Sequence, residues 1–117
     1  MNIEELREFC LSFKGATECF PFDEETLVFK VGGKMFALTS LDGDLSINLK
    51  CDPENAIELR ERFSYVLPGY HMNKKHWNTV MLDSFTDDKL VREWIADSYN
   101  LIFNSLPAKV KMEILAD

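Results

Sequence analysis

Thr26-Leu27-Val28-Phe29-Lys30-Val31-Gly32-Gly33-Lys34-Met35-Phe36-Ala37-Leu38-Thr39 is the stretch that decides the fold. Two runs rich in β-branched and aromatic residues flank a glycine pair, which can take the positive φ values of a primed turn. The pattern is that of an antiparallel hairpin. In simple two-residue register Phe29 faces Phe36 and Leu27 faces Leu38 on one side, the expected core. Val28 with Ala37, and Lys30 with Met35, share a milder side expected to face solvent.

Working outward, Asp42-Gly43-Asp44 is a turn leading into Leu45-Ser46-Ile47-Asn48-Leu49-Lys50. Strict alternation there predicts Leu45, Ile47 and Leu49 inside and Ser46, Asn48 and Lys50 outside. Asp52-Pro53 is a helix start, with a capping Asp followed by proline at the first helical position. Ala56, Leu59 and Phe63 line that helix, and Glu58 and Arg62 pair at i,i+4 on its outside. Periodicity fails from Ser64 to Lys75, which reads as the longest loop, with a turn at Pro68-Gly69. Residues 76–82 regain strand character. Thr86 then caps a long helix with the stripe Leu90, Val91, Trp94, Ile95, Tyr99, Ile102 and Leu106, ended by Pro107. The tail from Ala108 has room for one or two further helical turns.

At the amino terminus, Asn2 with Glu5 resembles a capping box, and Ile3, Leu6, Phe9, Cys10 and Phe13 follow at helical spacing. Gly15 stands where a C′ glycine belongs. The expected order is α-β-β-β-α-β-α, with room for an added strand at Glu18 to Phe22. Hairpin connections imply an antiparallel sheet with helices on one face, an α+β sandwich of two layers. The expected core is led by Phe9, Phe29, Phe36, Ile47, Leu59, Val80, Trp94 and Ile95.

A chain of 117 residues that is 46% hydrophobic suits a single domain over residues 1–117 with one core. Cys10, Cys19 and Cys51 are odd in number and lack CxxC spacing, so they read as free thiols of a reducing compartment. The start, Met1-Asn2-Ile3-Glu4-Glu5, is acidic and not a signal peptide. No apolar run approaches the roughly 20 residues that span a bilayer. A soluble, cytoplasmic protein without membrane contact is expected.

The net charge is −7, which by itself opposes nucleic-acid binding. Its distribution is uneven. Residues 1–25 carry seven acids and two bases, whereas 26–41 carry only Lys30 and Lys34, and 64–82 only Lys74 and Lys75. The acid-free segments coincide with expected strands and loops, and strands are poor in Asp and Glu in any case.

Pro68-Gly69-Tyr70-His71-Met72-Asn73-Lys74-Lys75-His76-Trp77-Asn78-Thr79-Val80 holds both histidines, a Lys-Lys pair and a tryptophan. Such a mix of cations, planar rings and amides suits an anion, a phosphate backbone or an acidic partner surface. Lys74 and Lys75 would meet phosphates, Asn73 and Asn78 would donate hydrogen bonds, and Trp77 or Tyr70 would stack on a base. Lys30, Lys34 and Lys50 extend this surface if their strands adjoin the loop. Five lysines and no arginine make a weak, salt-dependent site without the forks that read guanine. The plainer alternative has Trp77 in the core, the lysines solvated, and His71 and His76 tying the loop down.

Enzyme signatures are missing. His71 and His76 are five apart, unlike the i,i+4 pair of HExxH, and GxSxG, P-loop and GxGxxG motifs do not occur. Cys51 near a histidine in space is the remaining nucleophile candidate. The acids Glu4, Glu5, Glu8, Asp23, Glu24 and Glu25 read as ordinary helix-dipole compensation and solvated loop rather than a metal site. No catalysis, metal or cofactor is expected.

Phe20-Pro21-Phe22, Val28 to Ala37, Asn48 to Pro53, Pro68 to Val80 and Ser98-Tyr99-Asn100-Leu101 together resemble the MmcQ/YjbR family, the Lys-Lys-His-Trp core being its specific part. The resemblance implies a frataxin-like (CyaY-like) α+β fold. It also implies DNA binding through a "double wing" of hairpins, a role that rests on fold. The expected partner is DNA, bound weakly by a monomer or weak dimer. The alternative is a protein-interaction or regulatory module that binds no nucleic acid.

Overall fold

In the computed structural model, which describes residues 1–69 and 72–116, the hairpin joins β2 (Thr26–Val31) to β3 (Lys34–Ser40). Gly32 and Gly33 take φ of 58° and 81°, left-handed values that a side chain would resist. The register differs from the simple one. Val31 pairs with Lys34 and Lys30 with Met35, but then Phe29 pairs with Ala37, Val28 with Leu38 and Leu27 with Thr39. A β-bulge at Phe36 and Ala37 inserts the extra residue, which turns both side chains to the core and moves Leu38 to the opposite face with Val28. Phe29 and Phe36 still meet, as tilted rings 6.5 Å apart.

Around this hairpin run α1 (Ile3–Leu11), β1 (Thr17–Cys19), β4 (Ser46–Lys50), α2 (Pro53–Arg62), β5 (Val66–Pro68), β6 (Trp77–Met81), α3 (Asp88–Ser105) and α4 (Ala108–Ala116). The fold is α+β, with a six-stranded antiparallel sheet in the order β1-β2-β3-β4-β6-β5. The element order is therefore α-β-β-β-β-α-β-β-α-α, two strands and a helix more than expected. The added strands are three residues each and lie at the sheet edges, too short to show a period of two. β1 spans Thr17–Cys19 rather than Glu18 to Phe22. β5 lies inside the stretch expected to be loop, and its Pro68 is tolerated because an edge strand has no partner on one side.

Capping follows local chemistry. Asn2 and Glu5 form the reciprocal capping box, and Asp52 accepts from the Glu54 amide ahead of Pro53. At α3 the cap is Asp87, whose carboxylate accepts from Lys89 and Leu90, and not Thr86. The Thr86 side chain instead donates to the Met81 carbonyl at 2.6 Å and is buried.

All four helices cover one face. Leu6 and Cys10 of α1 and Val91, Ile95, Tyr99 and Ile102 of α3 form one buried cluster with Leu27, Phe29, Phe36, Ile47 and Val80 of the sheet. Leu59 of α2 and Val110 and Ile114 of α4 pack against the same cluster, as do half-buried Phe9 and Trp94. Each fully buried ring or branched side chain contributes about 1.5–3 kcal/mol to folding. Val28, Leu38 and Trp77 are buried outside this cluster, on the sheet's other face. No helix among the described residues is long and apolar enough to cross a membrane.

Candidate functional site

Strand direction sorts the charges. Val31 and Lys34 end the first hairpin at the end of the sheet where β4 finishes at Lys50 and β6 begins at Trp77. Lys30, Lys34, Lys50, Lys74 and Lys75 all lie at this end. At the opposite end, Thr26 pairs with Ser40 and Ser46 with Met81, and the adjoining loops carry Asp23, Glu24, Glu25, Asp42, Asp44 and Asp83.

The helices reinforce this polarity. α1 starts beside Ser40, Leu41 and Leu45, at the acidic end, and the amino-terminal ammonium pairs with Asp88 of α3 there at 3.2 Å. α3 ends at the other, where Leu106 packs on Gly32. Acids in first helical turns and lysines beyond last turns suit the helix dipoles, so part of the segregation follows from helix direction. α2 runs the opposite way and places Asp52 and Glu54 among the lysines by the same rule.

The loop after β5 is held by its backbone. The Gly69 amide donates to the Trp77 carbonyl at 2.9 Å, and a Cβ on Gly69 would stand 2.9 Å from both the Cβ and the carbonyl oxygen of Trp77. The Asn73 carbonyl accepts from the His76 and Trp77 amides at 3.1 and 3.0 Å, and its side chain accepts from the Lys75 amide at 2.9 Å. Lys74 and Lys75 thus occupy the middle of a tight turn with exposed side chains. Two more bonds tie the turn to the fold: Cys51 N–H to the His76 carbonyl at 2.7 Å, and Arg60 Nη2 to the Lys74 carbonyl at 3.2 Å.

The sequence candidates separate accordingly. Lys34, Asn73, Lys74 and Lys75 are exposed, and Lys30, Lys50 and His76 are half-buried. Lys30 and Lys50 project from the helix-free face, being paired with Met35 and Trp77, whereas Lys34 is paired with the core residue Val31 and leans to the helix side of the tip. Trp77 is 8% exposed and Asn78 2%, so neither presents its ring or amide at the surface. The Asn78 Nδ2 donates instead to the Ala56 carbonyl at 3.2 Å. Tyr70 and His71 lie outside the described residues.

Cys51 and His76 are joined through backbone, as above. Burial, then the charges of Asp52 and Asp97, push the Cys51 thiol up, opposite to what a nucleophile needs. Among the described residues no three His, Cys, Asp or Glu side chains converge as metal ligands.

Three lysines of this end were not legible as site residues. Lys14 follows α1, and its Nζ donates to the Leu115 carbonyl at 3.0 Å. Lys109 and Lys111 flank Val110, whose side chain packs on Gly32 at the hairpin tip. In the sequence they belong to a tail of zero net charge, and the docking of α4 on the hairpin is tertiary. With them, eight of the nine lysines gather at one end, Lys89 being the exception.

The family model YjbR matches residues 11–101 of this chain. The uncharacterized protein YbdF of Escherichia coli O157:H7 is 45% identical over 89 residues, 75% of this chain and 73% of that protein. The uncharacterized protein YjbR of Escherichia coli strain K12 is 34% identical over 108 residues, 92% of each chain. Among solved structures, the crystal structure of Deinococcus radiodurans protein DR2400, with domain DUF419, superposes with a TM-score of 0.91 at 41% identity, covering 97% of this chain and 87% of that one. A Pseudomonas syringae protein superposes with a TM-score of 0.77 at 27% identity, covering 87% of this chain and 99% of that one.

Proposed function

The chain belongs to the YjbR family, and from the charge segregation within that fold we propose that it is a non-enzymatic binding domain that holds DNA phosphates at its lysine-bearing end. The observation that carries this reading is the gathering of eight of nine lysines at one end of a chain of net charge −7. Cations spread evenly over so acidic a protein would be overwhelmed by its own field. Gathered, they make a local positive surface while the acidic end points away.

The footprint is small, so the contact is end-on and uses few phosphates. Lys74 and Lys75 lead it, the hairpin tip with Lys34 forms a second contact, and Lys30 and Lys50 border the helix-free face. Buried Trp77 and Asn78 position the turn and do not touch bases. Contacts of this kind carry little sequence preference, since they reach phosphate rather than base edges.

Titration of labelled duplex DNA at two salt concentrations, beside a pool of acidic peptides, tests the reading. Replacing both Lys74 and Lys75 by alanine is expected to reduce the salt slope by about 2 units, one phosphate for each lysine. Binding of the peptides but not of DNA would replace this reading with a protein-interaction module. Binding of neither would remove both.

A further inference from the structure

A cleft of about 530 Å³ opens between α2 and α3, on the helix-bearing side of the sheet, with Lys50, Cys51 and Asp52 at its border. Leu49, Leu59, Val80 and Trp94 supply its apolar lining. Buried Asn78 also lines it. The orientation of that amide is settled by its neighbour: the Ala56 carbonyl can only accept, so Nδ2 must face it and Oδ1 must point the other way. Oδ1 has no hydrogen-bond partner among the described residues. A buried carbonyl without a donor is uncommon and asks for an explanation.

A second group in the same cleft asks for the same chemistry. Asp97 of α3 lines the cleft and makes no ion pair among the described residues. Asp97 is exposed overall, but partial desolvation against the cleft wall, then the charge of Glu93, pushes its carboxyl up. The upward push of Asp52 and Asp97 on the Cys51 thiol reports the same negative field at the cleft mouth. Arg62 is engaged by Glu58 at 3.6 Å along α2.

We propose that this cleft binds a small molecule carrying a protonated amino group on an apolar body. The ammonium N–H groups go to the Asp97 carboxylate and, as the side chains over it move aside to admit the amine, to the sealed Asn78 Oδ1. The apolar body lies on Leu49, Leu59, Val80 and the Trp94 ring. A neutral hydroxyl would satisfy Asn78 and leave Asp97 alone, and an anion would meet Asp97 as a like charge. The volume suits a small ligand, and apolar walls with a few convergent polar groups are the usual build of such a site. This inference does not depend on the DNA reading, since the cleft is entered between α2 and α3 and its polar contacts are Asn78 and Asp97, whereas the phosphate contacts are led by Lys74 and Lys75.

The test is a titration of the full chain with phenethylamine and with 3-phenylpropionate, which shares the apolar body and reverses the charge, followed by two-dimensional NMR. Phenethylamine is expected to shift the amides of Leu49, Leu59, Trp94 and Asp97 saturably, and phenylpropionate is not. Asn78→Leu and Asp97→Asn are each expected to weaken binding about tenfold or more, the loss of one charge-assisted hydrogen bond. Asn78→Leu, which removes the orphan oxygen at similar volume, is expected to melt no lower than the parent. If that variant does not fold, Asp97→Asn, at an exposed position, carries the test. No saturable shift at millimolar amine, equal binding of phenylpropionate, or unchanged affinity in Asp97→Asn would overturn the proposal. So would a long-lived water at the Asn78 side chain that persists at saturating amine.

Discussion

Lys50 of β4 and Ser98 of α3 are joined by a 2.9 Å hydrogen bond from the Lys50 N–H to the Ser98 Oγ. The same hydroxyl donates to the Phe36 carbonyl at 2.5 Å. The ladder between β3 and β4 ends at Ala37 and Leu49, where the bulge draws Phe36 out of register. Ser98, fully buried, bridges the two strands where they no longer bond each other. Helix α3 thereby satisfies two backbone groups that the bulge leaves unpaired, and it sets the position of Lys50 at the lysine end.

Ser98→Ala is expected to destabilise the fold by about 2 kcal/mol or more, because a buried N–H and a buried carbonyl both lose their partner. Urea unfolding measures the difference. A loss of a few tenths of a kcal/mol would mean that water replaces the hydroxyl or that the strands close on each other.

Gly69→Ala must displace the Trp77 backbone, since the added carbon would lie 2.9 Å from the Trp77 Cβ and carbonyl oxygen. A cost of about 1–3 kcal/mol is expected for such overpacking. The Lys74-Lys75 turn depends on the Trp77 amide bonded to Asn73, so the turn should loosen as well. Exposure of Trp77 would appear as a red shift of tryptophan emission, and an unchanged spectrum at full stability would contradict this account.

The three thiols should react in a set order. Cys10 is fully buried, and burial pushes its thiol up to about 12. Cys51 is half-buried and is also pushed up, by burial first and then by Asp52. Cys19 is half-buried on the edge strand β1. Thiol-specific labelling of the native protein at mildly alkaline pH should modify Cys19 first and Cys10 last, as read by peptide mass spectrometry. Early labelling of Cys10 would show that the α1 layer opens.

Asp23 holds the turn before β2. Its carboxylate accepts from the Thr26 and Glu25 amides at 2.6 and 2.9 Å and from the Thr26 hydroxyl at 3.2 Å. These bonds, the Thr26 amide foremost, lower its pKa below the ordinary 3.8. A folded value below the unfolded one means the stabilisation is complete above the ordinary value and is lost as pH falls through the folded value. Asp23→Asn should therefore melt below the parent at neutral pH, with the difference shrinking as the pH falls below the ordinary carboxylate value. A difference that persists in acid would assign the effect to packing instead.

Much of the fold was legible locally. The Gly32-Gly33 hairpin, the Asn2–Glu5 capping box, the Asp52-Pro53 helix start and the inward Ile47 and Leu49 each state their structure within a few residues, because turn, cap and pleat chemistry acts over that range. Asn48, expected outside, is instead buried on the other face, where it accepts from the Thr79 hydroxyl of the neighbouring strand. The resemblance carried by the Lys-Lys-His-Trp stretch identified the family. The bulge at Phe36 was not legible: a two-residue turn predicts an unbroken register, and what favours the extra residue is the chance to bury both Phe36 and Ala37 against α3. Nor were β1 and β5, whose three residues become strands only when a neighbour supplies the hydrogen bonds.

The candidate site divides in the same way. By itself the sequence determined which segments lack acids and that Lys74 and Lys75 sit in a turn-forming, cation-aromatic stretch. Tertiary packing alone turns Trp77 and Asn78 inward, brings Lys14, Lys109 and Lys111 to the other lysines, and leaves between α2 and α3 a cleft beside an Asn78 carbonyl that has no partner among the described residues. Charge clustering and burial are properties of how distant segments are brought together. Antiparallel strand direction and helix docking set those distances, and no local spacing along the chain encodes them.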